Sequence, residues 1–512
     1  MYSLTGDSKL FTSGVESSRP RSNTVSTTLA FTLLFLFAAG MLAERLLMPT
    51  VPINVDPAAY AVASHEILNG ERLYEDIWDH KPPAPFVVYA AFEAVLGFGP
   101  TTLFVMNFLA TAAVMLGLFL ICRRGPGGDT AGLIAAGIWA LVSGSIGLEM
   151  RDPNTEALMN VCLVFAFLAM FSGERTINFK RALIAGLLLF AATMFKPVVV
   201  VVAAAFAVGH VTTSEQRTTA FRDVGIVAAV GFVGWLAAFG YFAATGRGGL
   251  FYDAVIVYNR HYAGGMIENI LAPLYGNAEL FVDVIGPSAV FAALLSVPLF
   301  FSDRKKWVVA VLYVCSAWVA IALPGRFSVH YYQLWLPAFI ITIAWGIGSL
   351  LRSENRIIHL SGAVILVMLA AILTVTQFPD HRAVLAGEHV PVIKTLNKEP
   401  ETAAFINGLL RDDETIILWG NTPNMYMATQ RRPPSIFMFD SHFDPNPIRE
   451  NLVALAQEKT DLSRTELLVV ECNRPPVPEW IASQFEETPI FHDADGYTIF
   501  ARRGGRIAGE KQ

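Results

Sequence analysis

The chain has 512 residues, of which 54% are hydrophobic and only 16% charged, with a formal net charge of −6. Those proportions exclude an ordinary soluble domain and call for many membrane spans. No basic stripe or RNA-binding signature is present, so nucleic acid is not an expected partner. Cys122, Cys162, Cys315 and Cys472 stand singly, which leaves neither a disulfide framework nor a CxxC metal site.

Residues 1–27 are polar, Ser/Thr-rich and carry Lys9, Arg19 and Arg21, which predicts a disordered cytoplasmic tail. The apolar run from Leu29 to Leu47 has no small-residue cleavage site and is followed by further apolar runs, so it reads as a retained anchor. A span needs about 20 apolar residues to cross about 30 Å of hydrocarbon. On that measure about eleven spans are expected, near 28–48, 100–122, 130–148, 154–172, 182–195, 197–211, 224–244, 279–301, 307–323, 333–351 and 357–376.

Lys and Arg concentrate in cytoplasmic loops. That rule puts the N-terminal tail, Arg123-Arg124, Glu174 to Arg181, Arg217 to Arg222, Asp303 to Lys306 and Arg352 to Arg356 inside, and the intervening loops outside. Two apolar stretches are settled by parity. The run 83–98 is expected to dip into the outer leaflet without crossing. The stretch 182–211 is expected to be two short spans that meet at Lys196-Pro197, because one long span would turn every later basic loop outward.

The first outer loop, 49–99, holds the densest charge beside an apolar segment: Asp56, His65, Glu66, Glu71, Arg72, Glu75, Asp76, Asp79, His80 and Lys81. Asp56-Pro57 followed by Gly70 predicts a short amphipathic helix on the membrane surface, with Asp56 as N-cap. The Pro pair after Lys81 stiffens the turn back toward lipid. Beyond Thr376 the composition becomes polar and Pro-rich. Thr415–Trp419, Glu466–Cys472 and Tyr497–Arg502 read as strands and 447–458 as a helix. The fold class is therefore mainly α: a polytopic helical membrane domain over 28–377, and a small extracytoplasmic α/β domain over 378–512.

With that orientation the outer face collects Asp56 and Lys81; Arg151, Asp152 and Glu156 in EMRDPNTE; Lys196; Arg260 and His261 in YNRHY; and Arg326, His330, Tyr331 and Tyr332 in PGRFSVHYYQ. Snorkelling toward headgroups accounts for one Lys or Arg at a span end. A set of mixed sign on one side only is a functional-site signal. The mixture suits transfer of a sugar from a polyprenyl-phosphate donor. Cations and hydroxyls stabilise the charge that grows on the departing phosphate, and one carboxylate takes the proton of the acceptor hydroxyl.

The first loop starts DPxxY, turns through Gly70 to Tyr74 and ends D-x-K-P-P at Asp79 to Pro83. It resembles the first outer loop of GT-C membrane glycosyltransferases, in the branch of lipid A aminoarabinose transferases and protein O-mannosyltransferases. Trp419 to Pro434, WGNTPNMYMATQRRPP, resembles a segment of the C-terminal outer domains of bacterial members. The resemblance implies Asp56 as catalytic base and Lys81 and Lys196 as donor-phosphate contacts, with His330 and Tyr331 in a matching G-R-x-x-x-H-Y-Y segment. The outer-face basic residues Arg260 and Arg326 join the same phosphate-binding set. Asp152 and Glu156 both lie where a second acid is usual, and which of them corresponds stays open. Many members carry an Asp-Glu pair in the first loop, whereas here Asp56 is followed by Pro57.

The resemblance further implies a multi-pass protein of the plasma membrane, the inner membrane of a bacterium, acting on the outer face with inversion at the anomeric carbon. Its acceptor would be a lipid, a glycan or a protein. No cofactor or metal is expected to be required, although Asp56, Asp152 and Glu156 offer oxygen ligands for a divalent cation. The alternatives are a transporter or flippase of lipid-linked sugars, and a ligase or polymerase of lipid-linked glycans.

Overall fold

The computed structural model describes residues 26–48, 53–171, 177–265, 267–274, 283–388, 399–494 and 496–509. Almost all of the expected 1–27 tail lies outside them, as does 389–398 at the joint between the two expected domains. The chain is mainly helical: α1 (Thr27–Leu47), α2 (Val55–Leu68), α3 (Ala84–Leu96), α4 (Pro100–Cys122), α5 (Asp129–Val142), α6 (Thr155–Phe171), α7 (Phe179–Phe195), α8 (Val200–Thr213) and α9 (Arg217–Ala244) come first. The short helices α10 (Gly248–Tyr252) and α11 (Asn259–Ala263) flank a π-helical stretch at Asp253–Tyr258. Then follow α12 (Ile285–Ser302), α13 (Arg304–Ala322), α14 (Trp335–Leu351) and α15 (Arg356–Ala386).

Seven helices among the described residues are long and apolar enough to cross a membrane: α1, α4, α9, α12, α13, α15 and α14 with the 3₁₀ turn before it. The other four expected spans fall on α5, α6, α7 and α8, which have 14 to 17 residues. The 83–98 run forms the 13-residue α3. Helix α14 is buried over most of its length, and Gly346 in it lies so close to α12 that a Cβ would sit 2.4 Å from the Leu295 carbonyl oxygen. By contrast α1, α9 and α15 expose Leu36, Phe232, Val233 and Val367, apolar faces that suit lipid contact.

The C-terminal part holds α16 (Glu399–Leu409), β1 (Thr415–Trp419), α17 (Asn424–Thr429), α18 (Arg449–Lys459), β2 (Thr465–Glu471), β3 (Phe491–His492) and β4 (Tyr497–Ala501). The sheet order is β1-β2-β4-β3, with β1 and β2 parallel and the other pairs antiparallel. Strand periodicity splits its side chains into two faces. Ile416, Leu418, Leu467, Val469 and Ile499 join the main core, and Ile417, Trp419 and Leu468 pack with Ile481 and Phe485 on the other side.

Two local expectations are corrected. Asp56 is not the N-cap of α2. The helix begins two residues earlier, at Val55 with Asn54 at the cap, so Asp56 lies in the first turn. Asn54 makes no side-chain cap bond, because its amide is drawn to the Asp152 carboxylate. Nor is α2 an amphipathic surface helix: Pro57 to Ser64 and Glu66 are all buried. Tyr60 packs edge-on against Phe86 and Tyr89 of α3, at 5.9 and 5.7 Å.

The remaining cover comes from the C-terminal part. The Arg432 guanidinium donates to both oxygens of Glu66, at 2.5–3.1 Å, and to Glu71 at 2.9 Å. Lys459 donates to Asp76 at 3.0 Å, and the Trp78 amide donates to the Ile436 carbonyl at 2.8 Å. Glu66, Glu71 and Asp76 of the first loop are thus consumed in docking.

Candidate functional site

Three chain breaks carry the site. The first is the opening of α2. With Asn54 as cap, Asp56 has no backbone amide to satisfy and its carboxylate turns outward. It accepts a hydrogen bond from the Tyr60 hydroxyl at 3.3 Å and stands 3.8 Å from His330 Nε2. The second is the α7–α8 junction. Pro197 disfavours helical geometry for the residue before it, and Lys196 is extended at φ −147°, ψ 120°. Its ammonium is thereby turned inward, where it pairs with Glu156 and lies 3.7 Å from the centre of the Tyr331 ring. The third is the 3₁₀ turn Val329–Leu334, which delivers His330 and Tyr331 at the mouth of α14.

His330 is the hub. Its Nδ1 meets the Glu149 carboxylate at 2.8 Å, while Nε2 has no hydrogen-bond partner and points between Asp56 at 3.8 Å and Glu156 at 4.0 Å. Buried polar atoms in native proteins are almost always paired, so an orphaned nitrogen between two carboxylates marks a place where something else binds. Glu149 holds the left-handed φ of 52°, a conformation uncommon for a residue with a side chain. It was not among the residues picked from the sequence, although it opens the EMRDPNTE stretch that was.

Lys81 lies near enough to Asp56 for its charge to act on the carboxyl. Its ammonium donates to His80 Nε2 at 2.8 Å and sits 5.9 Å from the Tyr60 ring centre. Its backbone is clamped at both ends: the amide donates to Asp79 at 2.8 Å, and the carbonyl accepts from the Tyr74 hydroxyl at 2.7 Å. Burial pushes the Asp56 carboxyl up, but the charges of Lys81, His330 and Lys196 outweigh it and hold the group below the ordinary carboxylate value. Burial also works against the Lys81 charge, and Asp56 and Asp79 more than restore it. Asp56 and Lys81 thus each help the other to stay charged. At Asp79 burial wins over Lys81 and pushes the carboxyl up to about 6.

The other sequence-derived residues lie further out. Asp152 accepts from the Asn54 backbone amide at 3.2 Å and from its side chain, so it anchors the start of α2. Burial, then Glu149, raises its carboxyl to about 7. Arg151 donates to the carbonyls of Arg45 and Met48 at 2.9 and 2.8 Å, closing the end of α1. Arg326 is exposed and stacks over Tyr262 at 3.9 Å, on the rim beyond His80. Arg260 is exposed and has no ion pair among the described residues, and His261 meets the Pro445 carbonyl at 3.3 Å. Among the described residues no group of three or more His, Cys, Asp or Glu side chains is placed to hold a metal ion.

Residues 80–240 match the family model for dolichyl-phosphate-mannose-protein mannosyltransferases. That interval contains Lys81, Asp152, Glu156 and Lys196 but not Asp56. No curated protein matches the chain by sequence. Among solved structures, ArnT from Cupriavidus metallidurans in the apo state aligns with a TM-score of 0.62 at 13% identity, covering 92% of this chain and 98% of that one. The same protein bound to undecaprenyl phosphate aligns with a TM-score of 0.59 at 12% identity, covering 93% and 98%. An oligosaccharyltransferase from Archaeoglobus fulgidus, in the apo form, reaches a TM-score of 0.49 at 11% identity, covering 87% and 70%.

Proposed function

From a chain with the fold of the GT-C membrane glycosyltransferases, we propose a transferase that moves a sugar from a polyprenyl-phosphate donor to an acceptor on the outer face of a bacterial inner membrane, with the C-terminal domain (378–512) on that same face. The observation that carries this reading is the Asp56 carboxylate 3.8 Å from His330, with the charges of Lys81 and Lys196 near enough to hold it below the ordinary carboxylate value. The undecaprenyl phosphate bound by the ArnT relative supports the choice of donor.

In the reaction the acceptor hydroxyl attacks the anomeric carbon from the face opposite the phosphate. The carbon–phosphate-oxygen bond breaks, and the pair of electrons leaves with the polyprenyl phosphate. The hydroxyl proton passes to the Asp56 carboxylate. A carboxylate held below its usual range is a weak base, so it takes the proton late, when bonding to carbon has already acidified the acceptor oxygen. Lys81 faces the developing phosphate charge, and the unpartnered His330 Nε2 supplies a further polar contact there. Lys196 is already paired with Glu156, so it contributes a fixed field and helps form the phosphate wall with Tyr331. Such pre-set charges need no reorganisation at the moment of transfer.

The test is product analysis in proteoliposomes that hold a labelled polyprenyl-phosphate sugar. Release of free polyprenyl phosphate with an inverted glycosidic product is expected, and its loss in Asp56→Asn at equal protein insertion. Movement of intact labelled lipid across the bilayer without cleavage would replace this reading with that of a flippase.

A further inference from the structure

The phosphate-facing role of Lys81 leaves an oddity unused beside it. His80 and His442 are both buried, and three of their four ring nitrogens have no hydrogen-bond partner: His80 Nδ1 and both nitrogens of His442. The fourth, His80 Nε2, accepts the Lys81 ammonium at 2.8 Å. A lysine ammonium has only donors, so this contact fixes the tautomer of His80: the proton is on Nδ1, which faces Asp79 Oδ1 at 3.6 Å. The ring is held from several sides. It stacks on Tyr258 at 5.0 Å and 29°, leans on Tyr262 at 5.3 Å, and meets the edge of His442 at 6.0 Å and 81°. Its backbone carbonyl accepts from Asn259 at 2.7 Å. His442 comes from the C-terminal part and is itself wedged against Trp78 at 4.6 Å and Phe439 at 4.2 Å.

We propose that His80 is a positioning residue for Lys81, accepting its ammonium on Nε2, and that His442 locks the imidazole in place, so that the C-terminal part of the chain sets where the phosphate-facing charge sits. The inference rests on the reading of Lys81 as a donor-phosphate contact. Three features of the cluster support it. A free lysine side chain samples many rotamers, and an acceptor at its tip removes that freedom before the ligand arrives. Burial and the Lys81 charge keep both imidazoles neutral, so neither competes as a cation for the phosphate. And the Tyr258 ring stacked on it and the Asn259 bond to its carbonyl hold His80 itself in place.

The experiment is binding of undecaprenyl phosphate and, separately, of uncharged undecaprenol to the purified full chain in detergent. Lys81→Ala is expected to weaken undecaprenyl phosphate by tenfold or more. His80→Ala is expected to weaken it about tenfold, His80→Gln to restore most of the loss through its amide oxygen, and His442→Ala to weaken it about fivefold. Undecaprenol binding should be unmoved in all of them, which a merely structural loss would not permit. His442→Phe, which keeps the ring and deletes the orphaned nitrogens, should bind like the parent. The double variant His80→Ala/His442→Ala should be no weaker than His80→Ala alone, because both act through one lysine.

If Lys81→Ala leaves phosphate binding intact, the donor-phosphate reading itself fails. If Lys81→Ala weakens it while His80→Ala and His442→Ala do not, that reading stands and the positioning inference is overturned. A His442→Phe variant as weak as His442→Ala would also overturn it, in favour of a direct polar contact.

Discussion

The two ends of helix α2 carry carboxylates only ten residues apart, and the fold treats them in opposite ways. At the C-terminal end, Glu66 is 3% exposed and saturated by the Arg432 fork, with Glu71, Glu75 and Asp76 drawn into the same ion-pair seam. At the N-terminal end, the Asp56 side chain is 34% exposed and underpaired: one long hydrogen bond from Tyr60 and an imidazole at 3.8 Å. A fully paired charge has finished its work in the fold. An underpaired one, held ionised by neighbours it does not quite touch, has capacity left for a ligand. The same contrast separates Glu156, closed on Lys196, from His330, whose Nε2 is open.

The sharpest way to break this comparison is to neutralise each kind of acid. Asp56→Asn removes the proton acceptor while keeping shape, and turnover should fall by three orders of magnitude or more, about 4 kcal/mol of barrier. The melting temperature should stay within a few degrees of the parent, because the lost contacts are long. Retained turnover, measured as polyprenyl phosphate release, would put the base elsewhere.

Lys196→Ala tests the closed pair. It strands Glu156, which is fully buried, and breaking a buried pair from one side costs about 3–5 kcal/mol. Lys196→Met/Glu156→Leu removes both charges, and should recover most of the melting temperature but not the activity. Equal destabilisation of the single and double variants would mean that the pair is not coupled.

Much of this architecture is legible in the sequence. The Lys196-Pro197 break follows from the steric demand of proline on its predecessor, and the apolar runs place the long helices, although α15 runs ten residues past the expected end at 376. Three features were not legible, each for a physical reason. The cap of α2 was assigned to Asp56 because Asp before Pro is a strong local signal. A contact 98 residues away, Asn54 with Asp152, overrides it and frees Asp56 for the pocket. Nothing local singles out Glu149, because its partner His330 lies 181 residues downstream. The Arg431-Arg432 motif was recognised as a segment but not as a clasp, since nothing local says that Arg432 reaches Glu66.

That clasp gives the next prediction. Arg432→Ala leaves Glu66 buried without its donor. Arg432 is 43% exposed, so water recovers part of the loss and about 2 kcal/mol is expected rather than the full cost of a buried pair. Limited proteolysis should become faster in the C-terminal part, while the specific activity of the surviving folded protein stays near that of the parent. A variant that loses activity without gaining protease sensitivity would mean that Arg432 touches substrate.

Asp152 offers the smallest and most directional test. It is buried, yet bonded to Asn54, and its carboxyl stands at about 7 against an ordinary 3.8. Between those two values the folded chain holds a proton that the unfolded chain has released. The stabilising contribution of the neutral acid is therefore complete below pH 3.8, declines as pH rises through the window, and is gone above pH 7. From pH 5 to pH 8 this group alone removes up to about 3 kcal/mol. Asp152→Asn keeps the neutral shape at every pH, so its melting temperature should fall less than that of the parent over that interval. The two curves should converge toward low pH and separate toward high pH, with the variant the more stable. Parallel curves would mean that Asp152 is already ionised in the folded chain at pH 5, and that its bonds to Asn54 outweigh burial. The start of α2, and with it the placement of Asp56, would then rest on a charged anchor rather than a neutral one.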